Sequence, residues 1–122
     1  MLISHLFFSI VCIDYREARR QKEYQSMIRI AVDAMGGDYA PGEIIKGAVQ
    51  AAGRRDDIQI ILIGQEDVVR EELKKYNYRE GQITVQNATE VIATEEPPVN
   101  AIRKKKDSSI VVGMNLVKKK EA

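Results

Sequence analysis

The segment Ile58-Gln59-Ile60-Ile61-Leu62-Ile63-Gly64 constrains this chain more than any other. A strand with one wet face alternates apolar and polar residues, whereas this run is nearly continuous in branched aliphatics. Both faces of an extended strand would then be apolar, which is the pattern of a parallel sheet covered by helices on each side. The run is also short and ends in glycine, as a buried strand does and a core helix of three turns does not.

The neighbouring segments fit that frame. Ile28–Val32 is short, apolar and rich in β-branched residues, and it runs into the turn Asp33-Ala34-Met35-Gly36-Gly37-Asp38. In Glu43–Ala52 the apolar residues Ile44, Ile45, Ala48, Val49 and Ala52 recur at helical spacing. Pro41 stands before that helix and Gly53 is placed to cap its end. Glu66–Tyr76 is acidic at its start and basic at its end, as the helix macrodipole favours. Ile83–Val85 reads as a third strand after the Gly81 turn, Val99–Lys105 as a short helix, and Ile110–Val117 as a further apolar helix preceded by the capping residues Asp107, Ser108 and Ser109. The alternation predicts an α/β fold, Rossmann-like and three-layered, with a mainly parallel sheet. Ligands bind such sheets at the carboxyl ends of the strands.

Composition excludes several functions. The chain has 122 residues with a net charge of +1, so it lacks the basic footprint of a nucleic-acid binder. One Cys and one His leave no disulfide framework, no cysteine zinc site and no metal centre in view, and no cofactor motif is recognised. No apolar run reaches the roughly 18 residues of a membrane span. The balance conceals an asymmetry: residues 27–100 carry −5 and residues 101–122 carry +5.

Residues 1–26 differ from the remainder, with an apolar stretch to Ile13 and a polar one to Ser26. A signal peptide is disfavoured, because 1–5 contain no Lys or Arg and no small-residue cleavage site follows Val11. The expectation is an extension created by start-site choice, with translation beginning naturally at Met27 and the domain occupying 27–122.

Two segments carry the chemistry. In the first, Gly36 and Gly37 let the backbone turn and aim N–H groups at an anion, flanked by Asp33 and Asp38. A glycine turn that only reverses the chain is the simpler reading of the pair taken alone. Glu43 stands where a P-loop needs its lysine, and no Gly-x-Gly-x-x-Gly occurs, so nucleotide fingerprints are absent. In the second, Arg103-Lys104-Lys105-Lys106 precedes Ser108-Ser109 at a helix start. Arg grips phosphate in a bidentate manner, Lys adds point charge, and hydroxyls with helix N–H groups complete a cradle. A solvated basic helix end is the competing reading, and a membrane-surface patch a thinner one. Thr94-Glu95-Glu96-Pro97-Pro98 reads as a loop stiffened by prolines, with no catalytic role.

Ile30–Pro41 and Ala101–Ser109 resemble the two signatures of the PlsX-type phosphate acyltransferases of bacterial phospholipid synthesis, and Thr89–Ile92 and Glu96-Pro97 fit the segment between them. The resemblance runs from about Met27 to the end. It implies an isocitrate/isopropylmalate dehydrogenase-like fold, a cytoplasmic homodimer, and transfer of a fatty acyl group from acyl carrier protein to inorganic phosphate, giving acyl phosphate without a cofactor. It also implies that this chain is the N-terminal part of a longer domain, whose continuation brings a Gly-Asn-Thr-Gly loop to the site and peripheral membrane contacts. On this reading Arg103 with Lys105 or Lys106 holds the phosphate, Ser108, Ser109, Gly36 and Gly37 add donors, and Asp33 and Asp38 orient the cations or the loop. The catalytic set is Asp33, Asp38, Arg103 and Lys106. A phosphotransacetylase-like transferase acting on a coenzyme A thioester and a non-catalytic fragment are the alternatives.

Overall fold

The computed structural model describes residues 19–20, 27–93 and 95–122. Most of the 1–26 extension, and with it the start-site expectation, lies outside the described residues. From residue 27 onward the order is β1 (Ile28–Asp33), α1 (Gly42–Arg54), β2 (Ile58–Gly64), α2 (Glu66–Leu73), β3 (Ile83–Asn87), α3 (Pro98–Lys104) and α4 (Ser109–Lys118).

The three strands form one parallel sheet in the order β1-β2-β3. The apolar run predicted to be central is central, pairing Ile60 with Ile30 on one side and with Ile83 on the other. Its two sets of alternating residues face different layers. Ile58, Ile60 and Leu62 pack with Ile45, Ala48 and Ala52 of α1 and with Val69 and Leu73 of α2. On the other face α4 packs across β1 and β2, with Gly113 close against Ile63. Leu62 and Ile63 are both essentially inaccessible, which is the two-sided burial that the run encodes.

The element ends differ from expectation in instructive ways. Gly53 does not cap α1; the helix continues to Arg54, and Arg55 is extended. Gln82 explains the ending, because its side-chain amide donates to the carbonyls of Ala52 at 2.7 Å and Arg55 at 2.5 Å. A side chain from another segment therefore takes the capping role assigned to glycine. The second helix stops at Leu73 rather than Tyr76, since the amides of Lys75 and Tyr76 turn back to carbonyls only three residues behind, at Glu72 and Leu73. β3 runs on to Asn87 because its ladder with β2 continues through Gln86 and Asn87. Asn87 then accepts a hydrogen bond from the Glu66 amide and satisfies the start of α2.

Parallel pairing sends Asp33, Gly64 and Asn87 to one edge of the sheet. The turn after β1, the loop after β3 and the start of α4 all gather there.

Candidate functional site

The site begins where β1 ends. The Asp33 carboxylate accepts a hydrogen bond from the Met35 amide at 2.9 Å, an Asx-type contact that starts the turn. Gly36 follows directly over that carboxylate, and a Cβ there would meet Asp33 Oδ2 at 2.9 Å. Gly37 has φ of +107°, which an L side chain rarely adopts. The two glycines are thus required for different reasons, one by close approach and one by backbone conformation. Asp38 stands exposed beyond them.

Among the described residues, a side-chain hydrogen bond joins the second segment to the first. Ser109 Oγ donates to Asp33 Oδ1 at 2.5 Å across 76 residues of sequence. Ser109 opens α4, so the bond fixes that helix start against the carboxyl end of β1. Ser108 is its N-cap in extended conformation, with its carbonyl accepting from the Val112 amide at 2.9 Å. The Ser108 hydroxyl is fully buried and has no partner among the described residues. The first-turn amides of α4 have no acceptor within the helix, as at any helix start.

A seam of polar contacts holds the loop after β3 against the approach to α4. Asp107 accepts from both the amide and the hydroxyl of Thr89, which hold its carboxyl below the usual carboxylate range. Glu90 accepts from the Asp107 amide at 2.9 Å, and a short parallel bridge links Glu90 with Ser108. Further along, Lys105 Nζ donates to the Val91 carbonyl at 2.8 Å and to Glu96 Oε1 at 2.5 Å. The same Glu96 oxygen accepts from the Ala93 amide at 3.2 Å. The Lys105 ammonium, with help from Ala93, pulls the Glu96 carboxyl below its ordinary value.

Between turn, loop and helices lies an open cavity of about 460 Å³. Asp33, Gly37 and Asp38 line one side, Ile92, Ala93 and Glu96 another, and Pro98, Ile102 and Ile110 complete it. Its wall is more apolar than polar, with Asp33, Asp38 and Glu96 its acidic members.

The residues singled out in the sequence therefore divide into groups. Asp33, Gly36, Gly37, Asp38, Ser108 and Ser109 converge at the strand edge. Arg103 and Lys106 are exposed, with no hydrogen bond or ion pair among the described residues. Lys105 is instead half-buried and engaged with Glu96. Sequence reasoning passed over Glu96 and the apolar wall; the only signal for them was the segment Thr89–Ile92 with Glu96-Pro97 between the two signatures. Among the described residues no group of three or more His, Cys, Asp or Glu is arranged to hold a metal ion, and no helix is long and apolar enough to cross a membrane.

Comparison with known proteins matches the sequence of this chain to a family. The family model described as fatty acid synthesis protein covers residues 28–122. A phosphate acyltransferase of Syntrophomonas wolfei is 55% identical over 95 residues, which are 78% of this chain and 30% of that protein. Phosphate acyltransferases of Halothermothrix orenii and Fusobacterium nucleatum are 52% and 48% identical over 95 residues, again 78% of this chain and 28% and 29% of theirs. The chain spans about 30% of the length of the curated relatives it matches. The matched region includes the glycine turn, the seam and the start of α4, and by this match the chain belongs to the fatty acid synthesis protein family.

Proposed function

We propose that this chain forms the phosphate-handling part of an acyltransferase that moves a fatty acyl group from an acyl carrier protein thioester to inorganic phosphate. The observation that carries the reading is the Asp33–Ser109 bond, which brings the glycine turn and the start of α4, next in sequence to the basic cluster, to one edge of a parallel sheet. Phosphate is already a nucleophile, so no Ser/His/Asp triad is needed. One phosphate oxygen attacks the thioester carbonyl carbon, a tetrahedral oxyanion forms, and the C–S bond breaks. The proton of hydrogen phosphate passes to the departing thiolate, so the products are acyl phosphate and a thiol.

The protein's task is to hold a dianion beside an electron-rich thioester and to stabilise the oxyanion. The exposed cations Arg103 and Lys106 neutralise the phosphate, and the first-turn amides of α4 and the glycine turn supply fixed donors. Ser109 contributes through its amide, since its hydroxyl is committed to Asp33. Asp33 and Asp38 orient the turn rather than abstract a proton. The same reading places the fold with the isocitrate and isopropylmalate dehydrogenase-like architectures, and the complete protein as a cytoplasmic homodimer.

The test replaces the matched segment of the Syntrophomonas wolfei relative with this chain and follows acyl phosphate formation by ³¹P NMR from acyl carrier protein thioester and phosphate. The fusion is expected to turn over, and the 122-residue chain alone is expected to give negligible product. A folded fusion that makes no acyl phosphate while the relative does would overturn the reading.

A further inference from the structure

The Lys105 ammonium has two oxygen partners, both in the loop after β3. It donates to Val91 at 2.8 Å and to Glu96 at 2.5 Å, and Glu96 in turn accepts from Ala93 at 3.2 Å. These bonds tie Val91, Ala93 and Glu96 into a ring fastened to the end of α3. Both charged side chains are about one-third exposed, at 32% and 31%, so the pair is partly shielded from water. Arg103, Lys104 and Lys106, the other cations of the cluster, are exposed.

The ring has a second face. Ile92, Ala93 and Glu96 line the cavity of about 460 Å³ opposite Asp33, Gly37 and Asp38. The apolar wall of Ile92, Ala93, Pro98, Ile102 and Ile110 favours an uncharged, partly alkyl group beside the phosphate donors of the turn and helix start. The geometry points to Lys105 as a positioning residue: through Glu96 and Val91 it sets the loop wall of a cavity that receives the acyl thioester end of the donor, and it does not itself hold phosphate. The inference rests on the acyltransfer reading for the identity of the ligand, and on the geometry alone for the role of Lys105.

The two are separable by experiment on the full chain. Hexanoyl-N-acetylcysteamine serves as an uncharged acyl thioester probe and inorganic phosphate as the anion, each titrated into ¹⁵N-labelled protein. Lys105→Met is expected to weaken binding of the thioester probe about tenfold, the scale of losing a charge-assisted bond at a loop anchor, and to leave phosphate affinity within about twofold. Lys105→Arg, whose guanidinium can still donate to both the Val91 carbonyl and Glu96, is expected to keep most of the probe affinity, a rescue that a general loss of stability does not produce. Hydrogen exchange at the Val91, Ala93 and Glu96 amides should accelerate in Lys105→Met and stay near the native rate in Lys105→Arg. A Lys105→Met protein that loses phosphate as strongly as Arg103→Ala, or one whose loop exchange and probe affinity are unchanged, overturns the inference. If the native chain binds neither ligand, the acyltransfer reading fails. The role of Lys105 is then decided by loop exchange alone: faster exchange in Lys105→Met with near-native exchange in Lys105→Arg sustains it, and anything else overturns it.

Discussion

Asp33 and Ser109 stand 76 residues apart in sequence and share a hydrogen bond of 2.5 Å, with the Asp33 carboxylate also accepting from the Met35 amide. One carboxylate therefore sets both the turn after β1 and the entry of α4. Asp33→Ala leaves an amide and a hydroxyl without their acceptor in a partly buried place, and a destabilisation of about 1–3 kcal/mol is expected. Ser109→Ala removes only one of the two bonds and should cost less, about 1 kcal/mol. Urea unfolding of the two single variants and the double variant measures this directly. Strictly additive effects would show that the bond does not couple the two segments.

The glycines of the turn predict a contrast with a glycine elsewhere. Gly36→Ala sets a methyl at 2.9 Å from Asp33 Oδ2, and Gly37→Ala places an L residue at φ of +107°. Each should lower stability, the second by about 1 kcal/mol or more. Gly47 lies inside α1 with open space around it, so Gly47→Ala should stabilise by roughly 0.5–1 kcal/mol. Thermal unfolding of the three variants tests the pattern. Equal shifts in one direction would mean that the turn imposes no special conformation.

The fold was legible where local pattern and burial agree. Continuous aliphatics in Ile58–Gly64 identified the central strand, because a strand covered on both faces has no position for a polar residue except near its ends. Gly53 misled for the opposite reason: a glycine can cap a helix, but the capping donor here is Gln82, which arrives from the start of β3. The candidate site divides in the same way. Asp33 and Ser109 were each visible as turn and cap residues, whereas their bond depends on α4 crossing β1 and β2. Lys105 and Lys106 were offered as alternative phosphate partners of Arg103, since four consecutive cations carry no mark of which one turns inward. Its partner Glu96 lay in a loop whose path no periodicity specifies.

Acid should release that loop late. The folded state holds the Glu96 carboxyl below its ordinary value, chiefly through the Lys105 side chain and then the Ala93 amide. A depressed carboxylate contributes its full stabilisation above the unfolded value and loses it as pH falls through the folded one. Exchange protection of the Ala93 amide is therefore expected to persist from neutral pH to about pH 5 and to fall only below roughly pH 4. Asp107, similarly depressed by Thr89, protects the Thr89 amide in the same region and can be followed separately. Glu96→Gln should abolish the acid transition at Ala93 and leave that at Thr89. Loss of Ala93 protection already near pH 6 would contradict the assignment.

The basic cluster yields the sharpest functional contrast. Arg103 is exposed at the end of α3, a few residues before the buried serines that start α4. A guanidinium there can grip phosphate with two parallel bonds while the first-turn amides of α4 meet the other oxygens. Lys119 follows the far end of the same helix, roughly 15 Å along the axis from Ser109 by helical rise. The helix dipole there favours cations but offers an anion nothing. Arg103→Ala should therefore weaken phosphate binding by about 10- to 100-fold, the range of a lost charge-assisted bidentate contact. Lys119→Ala should change it by no more than about twofold, as for a solvated surface charge. Phosphate titrations followed at the amides of Ser109 and Ile110 separate the two. If both substitutions act equally, the cluster works only as diffuse positive charge, and the effect of each should then vanish together at high salt. If Arg103→Ala alone has no effect, the phosphate lies elsewhere on the sheet edge, and Lys106 becomes the cation to remove next.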